Sequence, residues 1–148
     1  MTIYSKASEY AVRACLHLAR RPAGELVSVK HIARQEDIPL GFLAKILKEL
    51  ADRRLLRSRK GRAGGFKLGL DPDDIRLLDI VQALDGIGCY ERCAMGHKEC
   101  SEEHPCPLHE VWKDLRFRTL NCLGRYTIGD LVRRNEAHAR KCSGGPRR

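Results

Sequence analysis

Three cysteines and a histidine fall within seventeen residues of this chain: Cys93, Cys100, Cys106 and His109, in the pattern C-x(6)-C-x(5)-C-x(2)-H. The stretch around them is rich in Gly, Pro and charge and has few aliphatic residues. It cannot fold round an apolar core of its own, so something other than apolar burial has to order it. Thiolates are soft ligands, and imidazole suits iron, zinc and copper, so the four groups can fill the positions of a metal centre. The rival reading is a disulfide pair in a secreted domain. It is disfavoured because there is no apolar signal run near the N-terminus and the cysteines number seven, an odd count. Away from an oxidising compartment, clustered cysteines point to metal or redox chemistry.

The charge is divided unevenly. Residues 1–70 hold 15 Lys and Arg against 6 Asp and Glu, and the remaining residues hold 13 of each. The whole formal excess of +9 therefore sits in the first half. Within it, Arg53–Lys67 has seven basic residues and no acid. This suggests a polyanion-binding half joined to a neutral half. At 148 residues there is room for one core, or for a small core plus a dimerisation arm. No segment has the apolar length needed to cross a bilayer, so the expectation is a cytoplasmic protein with no membrane partner.

The periodicity predicts a mainly α chain. Ala11, Ala14, Cys15 and Leu18 mark a first amphipathic helix from about Lys6 to Arg20. Ser28 is placed to cap a short second helix holding Val29, Ile32 and Ala33. After a turn at Asp37–Pro39, Leu43, Ile46, Leu47 and Leu50 give a third helix from about Leu40 to Arg53. This is the outline of a helix-turn-helix unit. The segment Leu55–Lys60, the glycine-rich turn Gly61–Gly65 and Phe66–Leu68 then read as a small basic β-hairpin, a wing. Asp71-Pro72 opens the next element, a fourth helix carrying Ile75, Leu78, Val81 and Leu84, with Ile80 beside them, and stopping at Gly86. Past the cysteine loop, Leu108, Val111, Trp112, Leu115, Leu120 and Leu123 predict a longer helix ending near Gly124. Thr127 and Asp130 form a capping box for a last short helix. The domains expected are a head over 1–85, the cysteine loop over 86–106, a dimerisation helix with the short helix over 107–135, and a disordered tail over 136–148.

On the third helix the apolar stripe leaves Gly41, Phe42, Ala44, Lys45 and Lys48 on the opposite side. Lysines can meet phosphates or a guanine edge, and small residues allow close approach to a groove. Arg59, Lys60 and Arg62 on the wing could enter a minor groove or clamp the backbone. Ser5 and Lys6, at the start of the first helix, are grouped with them as DNA-facing residues. A solvated basic face is the plainer alternative, but a wing directly after such a helix favours double-stranded DNA.

Five segments carry a resemblance. Ser5-Lys6-x-x-Glu9-Tyr10-Ala11-Val12-Arg13-Ala14, Ile38-Pro39-x-x-Phe42-Leu43-x-Lys45-Ile46-Leu47-x-x-Leu50 and Gly61-x-x-Gly64-Gly65-Phe66-x-Leu68 are followed by Leu78-Asp79-Ile80-Val81-x-Ala83-Leu84-Asp85-Gly86 and Cys106-x-x-His109-x-x-Trp112. In this order and spacing they resemble the Rrf-type winged-helix transcriptional regulators, the IscR/NsrR-like iron–sulfur sensors. The resemblance runs from about Ser5 to Val132. It implies a homodimer of winged helix-turn-helix heads, with a long helix packed against its copy in the partner. It also implies an iron–sulfur cluster, [2Fe–2S] ahead of [4Fe–4S], held by three loop cysteines that here are Cys93, Cys100 and Cys106.

The first gap holds six residues where the family pattern has five, and Cys89 is an alternative first thiol. For the fourth ligand the resemblance offers two routes: His109, or an acid near the N-terminus of the partner chain, which is Glu9 here. His109 is taken first because imidazole is the softer ligand for iron. Cys15 reads as a small core residue, Cys122 as part of a dimer interface and Cys142 as part of the tail. No catalytic constellation is evident. The function expected is a transcriptional regulator, a repressor by class, whose DNA affinity depends on a cluster sensing redox, nitric oxide or iron–sulfur status. A winged-helix protein with structural zinc and a small electron-transfer protein are the rivals.

Overall fold

The computed structural model describes residues 3–98 and 100–143, with the backbone alone for Cys89 and for residues 140–143. Helix α1 spans Lys6–Ala19, and Ser5 caps it by accepting the Ser8 N–H at 3.2 Å. Its stripe of Ala11, Ala14, Cys15 and Leu18 is buried, as the periodicity requires. Ser28 likewise caps α2, Val29–Glu36, by accepting the His31 N–H at 3.3 Å. Asp37 ends α2 in the left-handed region at φ 51°, where a short polar side chain is tolerated. Helix α3, Leu40–Asp52, starts directly after Pro39 and buries Leu43, Ile46, Leu47 and Leu50. Helices α1, α2, α3 and α4 (Leu77–Leu84) pack round one core, with Ile32, Leu43, Leu47, Leu50 and Ile80 fully enclosed.

The wing follows at once. Strands β1, Leu56–Arg59, and β2, Gly65–Leu68, pair antiparallel with Leu56 opposite Leu68 and Arg59 opposite Gly65. Val27 adds a bridge on the other side of β2, exchanging both backbone hydrogen bonds with Phe66 at 2.9 and 2.8 Å. This close approach explains Gly65: a Cβ there would stand 2.4 Å from the Val27 carbonyl oxygen. The wing is therefore anchored to the body of the head through backbone, while its Gly61–Gly64 turn projects outward.

The second half departs from the expected elements in three places. Asp71-Pro72 opens a single 3-10 turn, Pro72–Asp74, rather than the fourth helix. Ile75 lies between that turn and α4, where Ile75 and Tyr126 accept backbone hydrogen bonds from Ile128 and Leu77 at 2.8 and 3.0 Å. Its burial comes from this bridge and not from a helical stripe. Helix α4 buries Leu77, Ile80, Val81 and Ala83; of the positions expected, Ile80 and Val81 are buried, while Leu78 and Leu84 are half-buried.

The loop after α4 contains a helical turn, α5, Gly88–Glu91, which carries Cys89. After α6, His109–Arg125, the last helix α7 runs from Ile128 to Ser143, well past the end expected for it. The run Glu136–Ala137–His138–Ala139–Arg140–Lys141 contains mostly good helix formers, and nothing in it stops a helix before Gly144. Polarity was therefore a poor guide to disorder here. The side chain of Cys142 and residues 144–148 lie outside the described residues. Helix α7 packs on α1 and on the 3-10 turn, so the chain returns to its own head. No helix among the described residues is long and apolar enough to cross a membrane.

Candidate metal centre and nucleic-acid interface

The loop 92–108 is tied down at both ends by α6. The Trp112 indole N–H donates to the Arg92 carbonyl at 2.8 Å, and the His109 N–H donates to the Cys106 carbonyl at 2.9 Å. Trp112 and His109 sit one turn apart, so both reach back to the loop from one side of the helix. These contacts gather the three thiols and the His109 imidazole into two pairs. Cys93 Sγ lies 3.7 Å from Cys106 Sγ, and Cys100 Sγ lies 3.3 Å from His109 Nδ1. Cys93 and His109 are buried, while Cys100 and Cys106 are half-buried.

The pair distances have a chemical meaning. Two thiolates on one tetrahedral ion, with metal–sulfur bonds of about 2.3 Å, stand about 3.8 Å apart, and a thiolate and an imidazole nitrogen about 3.6 Å apart. The Cys93–Cys106 separation therefore matches two ligands on one tetrahedral ion, and the Cys100–His109 contact is a few tenths of an ångström tighter than such an ion would set. The four groups do not close round a single ion. Among the described residues, the set of three or more whose ligand atoms all lie within 4.8 Å of one another is Glu102, His109 and Glu110. The other face of the His109 ring is also occupied: Nε2 lies 3.7 Å from a Glu102 carboxylate oxygen. A carboxylate behind the imidazole is the usual device for orienting a metal-bound histidine.

The thiols are poised differently. Cys93 titrates below its ordinary value, chiefly because the Met95 N–H points at its sulfur, with the amides of His97 and Gly96 adding to this against burial. Cys106 titrates above its ordinary value, chiefly through burial, with the neighbouring Cys93 sulfur adding to it. Cys15, in the head core, is pushed up to about 12 by burial and is inert. Cys122 is exposed on α6 and outside both pairs.

Glu9 does not join the thiols within one chain. Lys6 Nζ contacts it at 2.9 Å and Arg13 at 3.8 Å, all three on α1. Ser5, grouped with the DNA contacts from sequence, has its hydroxyl and N–H committed to the Asp85 carboxylate besides its capping bond, the N–H at 2.9 Å. The Tyr90 hydroxyl donates to the Ile3 carbonyl. Sequence reading missed these two contacts, because they join residues eighty or more apart in the chain and no local pattern marks them.

The basic face is built by α3 and the wing. Gly41, Phe42, Lys45 and Lys48 are exposed, as are Arg57, Arg59, Lys60 and Arg62. Among the described residues none of these cations has an acid within ion-pair distance. Phe42 is 44% exposed, and its ring meets Tyr10 edge-on at 5.8 Å. Lys6 and Arg13 stand over the Tyr10 ring at 5.0 and 5.7 Å, extending the cationic surface onto α1.

A helix-turn-helix head with a basic wing and an attached thiol–imidazole loop defines a winged-helix transcriptional regulator. The chain belongs to the Rrf2 family, described as iron-dependent transcriptional regulators, whose profile matches residues 4–134. It is 30% identical over 130 residues to the regulator NsrR of Bacillus subtilis, covering 87% of this chain and 89% of that one. It is 30% identical over 136 residues to the regulator IscR of Vibrio campbellii, covering 92% and 80%. Among solved structures it is similar to CymR, the global cysteine regulator of B. subtilis. The TM-score is 0.73 and the identity 26%, over 89% of this chain and 97% of that one. These relatives are regulators and not enzymes, and DNA binding is the common property of the class.

Proposed function

We propose that this protein is a homodimeric regulator whose operator affinity is set by a [2Fe–2S] cluster that Cys93, Cys106, Cys100 and His109 would hold. The observation that carries this is the division of the four groups into two pairs at 3.7 and 3.3 Å. A single structural zinc would draw all four to one centre, and a [4Fe–4S] cluster would spread them over four irons. Such a cluster supplies one-electron redox chemistry and sensitivity to oxidants and nitric oxide; everything else is the work of the chain. Cys93, Cys106, Cys100 and His109 hold the loop in one shape. Asp85 and Tyr90, which flank its entry, hold Ser5 and Ile3 at the start of α1. Helix α1 presents Tyr10 to Phe42 on α3. Loop order is thereby passed to the helix proposed to enter the major groove, and wing cations hold the phosphates alongside. A soluble cytoplasmic setting belongs to the same reading.

A second reading is favoured by the same 3.7 Å contact. Cys93 and Cys106 could lose two electrons and two protons to an oxidant and close a disulfide, making a thiol switch without a metal. One measurement separates the two. Protein purified without oxygen should be coloured and contain iron and acid-labile sulfide at two of each per chain, and Cys100→Ala or Cys106→Ala should bleach it. Colourless protein without sulfide, whose DNA affinity changes when Cys93 and Cys106 oxidise, would establish the thiol switch instead.

A further inference from the structure

We propose that Glu102, Glu110 and the Nε2 atom of His109 form a second metal site, for a divalent first-row cation. The ligand atoms of these three residues all lie within 4.8 Å of one another. Two exposed carboxylates alone would be an ordinary acidic surface. What distinguishes this pair is the imidazole between them. His109 is 4% exposed, and its Nε2 is buried with no hydrogen-bond partner. The nearest acceptor, Glu102, stands at 3.7 Å, inside ion-pair range but beyond hydrogen-bond reach. A buried ring nitrogen left unsatisfied is costly, and a cation in the gap would satisfy it while gathering both carboxylates. At present Lys113 neutralises Glu102; its side chain and that of Glu102 are exposed enough to part.

The donor set selects the ion. Two carboxylates and one imidazole, with water completing the shell, suit Mn²⁺, Fe²⁺ or Zn²⁺ over the softer Cu⁺ that thiolates favour. The site is separate from the thiol pairs in every ligand but one. That shared ligand has a consequence. A neutral imidazole offers one lone pair, and its other nitrogen carries the proton. With a cation on Nε2, Nδ1 becomes an N–H donor facing Cys100 and is no longer a ligand there. With Nδ1 ligating, Nε2–H faces Glu102. The two occupancies exclude each other, so the divalent cation would hold the α6 N-terminus in a form that the thiol set cannot fully use. The exclusion rests on the cluster reading; the cation site itself does not.

The test uses the full chain with Cys93, Cys100 and Cys106 all changed to Ser, titrated with Mn²⁺ and followed by loss of the free-ion electron paramagnetic resonance signal. One Mn²⁺ should bind per chain. Glu102→Gln and Glu110→Gln should each weaken binding by roughly tenfold or more, at least what loss of an outer-shell partner costs. Lys113→Met should tighten it by removing the competing cation. Unchanged affinity in both glutamine variants would overturn the site. Should the triple variant fail to fold, Co²⁺ added to the wild-type chain gives the same answer. One equivalent should show d–d bands without thiolate charge transfer and should disappear in Glu110→Gln. If every bound equivalent carries the thiolate band and survives Glu110→Gln, the proposal is wrong. Iron and sulfide content reads the cluster independently, so the two readings fail separately.

Discussion

At His109 the two ring nitrogens face different partners, Cys100 on one side and Glu102 on the other. We expect His109→Ala to shift the visible spectrum of the anaerobic protein and speed its bleaching, with Glu9→Ala doing much less. Glu9 is engaged by Lys6 and Arg13 on its own helix. If Glu9→Ala proves the more damaging change, ligation crosses the dimer and His109 only packs. Phe42 presents the corresponding choice on the DNA side. An exposed aromatic ring braced edge-on by Tyr10 can meet a base edge or a thymine methyl. Phe42→Ala should change which operator sequence is preferred, by about 1–3 kcal/mol for a lost base contact, with little effect on random duplex. Competition binding across single-base operator variants measures this.

The wing and the last helix carry predictions of a different kind, because each works as a unit. Lys60 precedes the turn and Arg62 lies within it, and neither has an acid within ion-pair distance among the described residues. The double change Lys60→Ala, Arg62→Ala should weaken operator and random DNA alike, and should lower the salt slope by about one unit per lost phosphate contact. An unchanged slope in a salt titration would remove the wing from the interface. Helix α7 is started by Thr127 and Asp130, each of whose backbone N–H donates to the other's side-chain oxygen at 3.1 Å. Thr127→Ala should cost about 1 kcal/mol, the usual worth of a cap, and lower the Tm.

The same cap fixes a pH dependence. The Asp130 carboxyl titrates below its ordinary 3.8, chiefly because the Thr127 N–H donates to it, with Arg133 adding to this. A depressed carboxyl contributes its stability in full above 3.8 and loses it as pH falls through the lower folded value. Asp130→Asn should therefore lower the Tm at pH 7, and by progressively less as pH falls below 3.8 and the carboxyl protonates.

At the scale of the molecule, α6 is incompletely covered. Within one chain its seventeen residues bury only His109 and Leu123. Leu108, Val111 and Leu115 follow one stripe and are exposed, Val111 by 70%. In the homodimer we propose, this stripe meets its copy. Val111→Glu with Leu115→Glu should then halve the mass seen by light scattering while the wing and core stay folded. The route from loop to recognition helix is also testable here. Asp85→Ala removes the tether on Ser5, and should leave iron and sulfide in place while narrowing the difference in operator affinity between loaded and stripped protein.

Much of this architecture was legible in the order of residues. The stripes on α1 and α3, the caps at Ser28 and Thr127, and the wing with its glycines are all local patterns, in which a residue's neighbours in sequence are also its neighbours in space. The clustering of Cys93, Cys100, Cys106 and His109 was legible for the same reason, since four groups within seventeen residues cannot lie far apart. What sequence could not decide was the pairing. Whether Cys93 faces Cys100 or Cys106 depends on how Trp112 and His109 hold the loop from α6. Nor could periodicity separate the stripe of α6 that faces the core from the one left exposed, because both are apolar at helical spacing. The ties Asp85–Ser5 and Tyr90–Ile3 join residues brought together only by packing, and the facing of Glu102 onto the His109 ring depends on how the loop folds back on α6. Sequence set the local elements and the chemistry available to them. Tertiary structure alone decided which groups face one another, because that depends on contacts between segments far apart in the chain.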